Sequence, residues 1–338
     1  MIRRLLALSL VLLLIGPEAR AQQPLPIIDM HLHAMAADDN GPPPLAICVP
    51  FLSHLPPLDP KENWGDVFIG AMKKPSCPNP IWSPTTEKEL LQQTVEVLQR
   101  RNIIGILSGT PERVLRWSRA APDRFFPSVQ FRIGREDISP EAMRRLFAEG
   151  RFVTLAEISN QYAGIGPDDE RMEPYWALAE ELDIPVGIHM GEGPPGGAHL
   201  FPDYRVHFGN PLLLEDVLHR HPKLRLWVMH YGSPMMEEMI ALLQSYPQVY
   251  VDISPNQWRY PRAYFYSQLR TLVDAGFGKR VMYGSDQMNW PGVIEPAVAA
   301  IEEAPFLSEE QKRDILYNNA ARFLRLSEEQ IARHHGRQ

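Results

Sequence analysis

The chain has 338 residues and a formal charge of −7, with 44% hydrophobic and 22% charged residues. This is the make-up of a globular protein long enough for one barrel domain of roughly 200–250 residues or for two ordinary domains, and it excludes disorder on a large scale. The acidic balance, with no basic cluster, gives no support for nucleic-acid or anionic-membrane binding.

Residues 1–21 read as a secretory signal peptide. Arg3 and Arg4 make a basic start, an apolar run follows over 5–15, and Ala19-Arg20-Ala21 is a small-x-small cleavage site. The run is shorter than the ~20 residues of a spanning helix, and no Cys follows it, which argues against a lipoprotein anchor. A single domain over 22–338 is expected in the periplasm or outside the cell, without a membrane span. Loss of three arginines and one glutamate takes the formal charge from −7 to −9.

The first strand is expected at Ile27-Ile28-Asp29-Met30-His31-Leu32-His33, where two histidines two apart share one face. Residues 34–84 then lack a helical or alternating pattern and hold ten prolines from Pro42 to Pro80, so a packed, lid-like insertion is expected over the histidines. Cys48 and Cys77 both fall in it. Export permits a disulfide between them, and a pair of reduced, buried thiols is the alternative. Their spacing is not that of a Cys-based metal site.

Beyond the insertion the chain alternates. Helices are expected over 85–101, with Leu90, Leu91, Val95 and Leu98 as its apolar stripe, and over 111–121, 139–149, 169–182, 211–220, 234–245 and 262–275. Strands are expected over 103–107, 126–131, 151–158, 186–189, 224–230, 249–253 and 280–284. A helical region follows from 293, including Ser308-Glu309-Glu310-Gln311 in capping-box form, with C-terminal helices over 305–338. Eight strands with helices between them predict an α/β fold, a distorted (β/α)8 TIM-like barrel. An open doubly wound sheet is disfavoured because no glycine fingerprint follows the first strand.

Barrel active sites gather at the carboxyl ends of the strands. Those ends carry His31 and His33 on the first strand, Glu157 on the fourth, His189 on the fifth, His230 on the sixth and Asp286 after the eighth. Imidazole and carboxylate together suit a divalent first-row ion, of which zinc is the expected one. Each residue alone has an ordinary structural explanation; their coincidence at matching ends does not. Arg132, His199 and Arg205 are weaker candidates for substrate contact, with Gln130, Tyr204 and His207 beside them. The glycine-rich stretch 191–197 is read as a shaped loop, since Pro194 and Pro195 remove two donors that a phosphate cradle would need.

The stretches Ile28-Asp29-Met30-His31-Leu32-His33, Ala156-Glu157-Ile158, Gly187-Ile188-His189, Met229-His230, Gly284-Ser285-Asp286 and the C-terminal Tyr317-Asn318-Asn319-Ala320-Ala321-Arg322-Phe323 resemble the amidohydrolase-related branch of the metal-dependent amidohydrolase superfamily. The resemblance implies a distorted barrel with one or two divalent ions at its mouth. It implies one ion on His31, His33 and Asp286, and His189 and His230 on a second ion or divided between ligand and electrophile. Glu157 stands where the family often has a carboxylated lysine, which leaves the metal count open. The expected activity is hydrolysis of a carbonyl C–N or C–O bond (amide, lactone or related ester) by metal-activated water, with Asp286 moving the proton and His230 polarising the carbonyl. Non-oxidative decarboxylation of an aromatic or related acid is the alternative, and a non-catalytic metal- or ligand-binding barrel is the second. A small-molecule substrate is expected.

Overall fold

Apolar runs and amphipathic stretches resolve into eight parallel strands in the computed structural model, which describes residues 24–135 and 138–337. The expected signal peptide, 1–21, lies outside the described residues. The strands are β1 (Ile27–His33), β2 (Ile103–Ser108), β3 (Phe125–Phe131), β4 (Thr154–Ile158), β5 (Val186–His189), β6 (Leu226–Met229), β7 (Tyr250–Asp252) and β8 (Val281–Met282). They pair in chain order. The seam between β8 and β1 is bridged by Met30 N–H donating to the Tyr283 carbonyl at 2.9 Å and Asp286 N–H donating to the His31 carbonyl at 2.8 Å. With helices between successive strands, this is a TIM-like (β/α)8 barrel.

The helix Glu87–Arg100 begins at Thr86, whose hydroxyl accepts from Glu89 N while the Glu89 side chain returns to the Thr86 N–H. Its fully buried face is Leu90, Thr94, Val97 and Leu98. Leu91 and Val95, expected on that stripe, pack at its margin. Ser139 and Ser308 cap the helices Pro140–Ala148 and Glu309–Arg313 as their sequences predict. Two expected helices are shorter. Those over 169–182 and 211–220 open with 3-10 turns, Glu170–Met172 and Pro211–Leu214, before Glu173–Glu181 and Glu215–Arg220.

Two apolar layers result. The outer one lies between strands and helices and includes Leu32, Leu107, Leu155 and Ile188. The inner one fills the barrel with Ile28, Met30, Ile106, Ala156, Trp227, Met229 and Met282, and is continued by Tyr317, Ala320 and Phe323 from the C-terminal segment. The barrel is therefore a packed core, and chemistry is confined to its rim.

The segment after β1 is more regular than its prolines imply. It holds the helix Trp64–Lys73, a 3-10 turn Phe51–His54 and a two-stranded ribbon of Ala46–Ile47 with Ile81–Trp82, and Cys48 is bridged to Cys77. Asn63 caps the helix by accepting from Asp66 N. Trp64 Nε1 donates to the Pro195 carbonyl at 2.8 Å, and a Cβ on Gly196 would lie 2.0 Å from that same nitrogen, so the indole needs a glycine there. Phe51 lies against Trp258, whose Nε1 donates to the Ser285 carbonyl at 2.8 Å. The insertion thus rests on the loops that follow β5 and β7.

Candidate metal centre

Two strand irregularities aim the first ligands. The pairing of β1 with β2 slips by one residue between Asp29 and Leu32, and that of β4 with β5 between Leu155 and Ile158. Met30 and Ala156 belong to the inner layer, while Leu32 and Ile158 belong to the outer one. The extra residue in each strand, a β-bulge, brings His31 and Glu157 in above that layer as well. At two other ends the backbone turns: His230 (φ 59°) and Asp286 (φ 49°) are left-handed, a conformation that costs an L residue about 1–3 kcal/mol and persists where its surroundings impose it.

All six residues expected from the strand ends come together. The ring of His31 is 4.8 Å from that of His33 and 5.2 Å from that of His230, which is 4.5 Å from that of His189. Asp286 Oδ1 lies 3.0 Å from His33 Nε2 and 3.9 Å from His31 Nε2. Ligand-type atoms of His31, His33 and Glu157 lie within 4.8 Å of one another, and so do those of Glu157, His189 and His230. Glu157 belongs to both groups.

The structure adds several residues that the sequence reading did not single out. Asp252, the last residue of β7, groups with His31 and His230. It follows the same rule as Glu157, so its position was the signal. Asp29 is buried inside β1 and accepts the N–H groups of His31 and Ser285, each at 2.9 Å, which ties the first strand to the loop after the last. Burial pushes its carboxyl up to about 7. Gln161 and Tyr162, in the loop after β4, hold His189: Gln161 Oε1 faces Nδ1 at 2.9 Å and the Tyr162 hydroxyl faces Nε2 at 2.8 Å. The Gln161 NH2 is spent on the Gly191 carbonyl, so its oxygen accepts from His189 Nδ1–H, and Nε2 carries the lone pair. No sequence motif marks these two.

The electrostatics are those of a cation site. Burial pushes His31 down, but Asp286, Asp252 and Glu157 outweigh it and carry the imidazole up to about 10. Burial likewise pushes Asp286 up, yet His31, His33 and His230 hold it well below the usual carboxylate range. Burial and His230 hold His189 well below its ordinary value, in the neutral form that ligates metal. His31 Nε2 and His33 Nδ1 are buried without a hydrogen-bond partner. Ligand bonds of 2.0–2.2 Å in a tetrahedral site put donor atoms roughly 3.4 Å apart, between the 3.0 and 3.9 Å found around Asp286. These residues fit a divalent ion.

Of the three weaker candidates, Arg132 has its guanidinium 5.8 Å from the ring centre of Tyr162, the residue whose hydroxyl meets His189. Arg205 donates to the carbonyls of Pro202 and Tyr204 in its own loop, and His199 is exposed on the short helix Gly197–Leu200. The structure does not bring these two into the cluster. An apolar cavity of about 540 Å³ lies among Phe126, Phe147, Phe152, Ile184 and Leu324 at the amino ends of the strands. Its charged residues Arg144, Asp183 and Arg225 are engaged in ion pairs, so it offers no reactive group.

The fold recurs among solved structures. A TIM-barrel protein from Bordetella bronchiseptica is 18% identical over 91% of this chain and 100% of its own, with a TM-score of 0.58. A probable 2-pyrone-4,6-dicarboxylic acid hydrolase from Acinetobacter baumannii is 14% identical over 89% and 100%, with a TM-score of 0.57. A 2,6-dihydroxybenzoate decarboxylase is 14% identical over 90% and 100%, with a TM-score of 0.55. No curated protein sequence matches. The amidohydrolase family model Amidohydro_2 matches residues 28–326, nearly all of the barrel and every one of the six clustered residues, and the chain belongs to that family.

Proposed function

We propose that the protein is an exported metal-dependent hydrolase of a carbonyl C–N or C–O bond in a small molecule, an amide, lactone or related ester. The observation that carries this reading is the place of Glu157, whose carboxylate lies within 4.8 Å of ligand atoms of both histidine pairs and so would help hold an ion at either. Zinc is the ion we favour, for its affinity for imidazole with carboxylate. When bound, such an ion supplies Lewis acidity toward a carbonyl and toward water. Asp286 is ionised and beside that position; it takes a proton from the attacking water at Oδ1 and returns it to the leaving group. His230 has its Nδ1–H engaged by the Ser254 carbonyl at 2.6 Å, so Nε2 is the nitrogen it offers to the site. Arg132, beside Tyr162, is the side chain we assign to substrate contact, with His199 and Arg205 reaching it only if their loop moves. Export is supported by the sequence of 1–21 and by the Cys48–Cys77 bridge, a bond that persists in oxidising compartments.

One observation favours a second reading, a one-ion decarboxylase: the Tyr162 hydroxyl fills the lone pair of His189 that a second ion would need. Metal analysis of the purified protein separates the two. About two equivalents with turnover of lactones or amides supports the hydrolase. One equivalent with release of CO2 from aromatic acids replaces it, and a folded protein that takes up no divalent metal ends both. A mature N-terminus near Gln22 in the exported fraction checks the signal peptide.

A further inference from the structure

The geometry points to Ser254 as a positioning residue that sets the tautomers of two metal-site histidines at once, His31 through its hydroxyl and His230 through its carbonyl. The inference rests on the metal-site reading above and extends it to a residue outside the ligand set. Ser254 is two residues beyond the end of β7 and wholly buried, as are Asp252 and His31. Asp252 accepts from four donors: Trp227 Nε1 at 3.2 Å, His230 N at 3.2 Å, Ser254 N at 3.0 Å and Ser254 Oγ at 2.6 Å. A hydroxyl has one proton to give. Ser254 gives it to Asp252, so toward His31 Nδ1, 2.9 Å away, the Oγ can only accept. His31 Nδ1 therefore carries a hydrogen, and Nε2, the buried atom without a partner, is the one left for the ion.

The same residue acts on His230 by other means. Its carbonyl oxygen, which can only accept, lies 2.6 Å from His230 Nδ1, so that nitrogen too is the protonated one. Ligating histidines commonly lean on a carboxylate or carbonyl in this way. Here Asp252 reaches His31 through a serine rather than directly, its Oδ2 being 3.7 Å from Nδ1. Gly284 packs against both residues: a Cβ there would meet the Cβ of His31 at 3.1 Å and that of Ser254 at 3.3 Å.

The two contacts separate experimentally, because a side-chain change removes the hydroxyl, 2.9 Å from His31 Nδ1 and a distant 3.4 Å from His230 Nδ1, and keeps the carbonyl 2.6 Å from His230 Nδ1. In metal-free protein, at a pH above that at which the His31 ring sheds its second proton, 15N NMR of the imidazoles is expected to show His31 and His230 each with hydrogen on Nδ1. In Ser254→Ala, His31 loses that single tautomer while His230 keeps it; in Ser254→Thr, which retains the hydroxyl, both keep it. Titration with Zn2+ against a competing chelator is expected to give a Kd raised about 10- to 100-fold in Ser254→Ala and within about threefold of wild type in Ser254→Thr. Equal disturbance of both histidines in Ser254→Ala, or a Kd within threefold of wild type, overturns the inference. Wild-type protein that binds no Zn2+ overturns the metal reading instead, and the metal-free tautomers still report on Ser254.

Discussion

His31, His189 and His230 each have one nitrogen occupied by the fold and one turned toward the site, and the consequences differ by residue. At His189 the inward nitrogen accepts from Tyr162, whose phenol burial keeps well above its ordinary pKa and so protonated. An ion binding there must displace a hydrogen bond worth about 0.5–1.5 kcal/mol net. Tyr162→Phe is therefore expected to lower the Kd for Zn2+ roughly two- to tenfold in a chelator competition; unchanged or weaker binding would show that the hydroxyl does not compete. Asp286 carries a different expectation. Asp286→Asn preserves shape and removes the proton acceptor, so turnover of whichever panel substrate the native enzyme accepts should fall about 10²–10⁴-fold. Wild-type turnover in that variant would take Asp286 out of the acid–base role. Both substitutions are close to isosteric, so the circular dichroism spectrum of each variant should stay that of wild type.

At the level of elements, the insertion between β1 and β2 is held from within by its disulfide and from without by Trp64 and Phe51. Closing a loop with a sequence separation of 29 residues is worth about 3–4 kcal/mol in the chain-entropy account. Reduction should leave the barrel folded and open the stretch between Cys48 and Cys77 to protease; an identical cleavage pattern with and without reductant would assign the insertion's order to packing alone. The helix in this stretch was hidden in the sequence by its surroundings rather than absent from it. Asn63 is a good cap, and Trp64, Phe68 and Met72 recur every four residues, but a Pro-rich flank on each side masked the pattern of so short a helix, ten residues. The barrel strands were legible because buried parallel strands are runs of apolar residues and the helices between them are amphipathic. Their ends were legible too, since a polar residue closing an apolar run has few structural uses. Bulges were not. A one-residue slip at Met30-His31 or Ala156-Glu157 leaves composition and spacing unchanged, and only pairing with a neighbour reveals it. Gln161 and Tyr162 come from a loop, where no period constrains residue choice.

Across the whole molecule, the barrel is closed below by its own C-terminus. Tyr317, Ala320 and Phe323 complete the inner layer, and the last described helix, Glu328–His334, is held by His334, whose Nδ1 lies 3.0 Å from the Tyr317 hydroxyl. Burial, with Arg333, His335 and Arg124 nearby, pushes His334 down to about 4 from its ordinary 6.5. The unfolded segment then binds more protons than the docked one between those values, so docking is stable above pH 6.5 and weakens as pH falls toward 4. Amide exchange over Glu328–His334 should accelerate from pH 7 to pH 5 beyond the intrinsic rate change, and His334→Gln should flatten that difference. A wild-type profile already flat would free His334 from the role. The seam of the barrel has a consequence of another kind. Asp29 of the first strand clasps Ser285 across 256 positions of chain, and the two ends of the ligand set, His31 and Asp286, meet only when that clasp forms. A nascent chain carries half a chelate. Loading must therefore follow the last strand into place, and the ion on offer where folding finishes decides which metal the site receives.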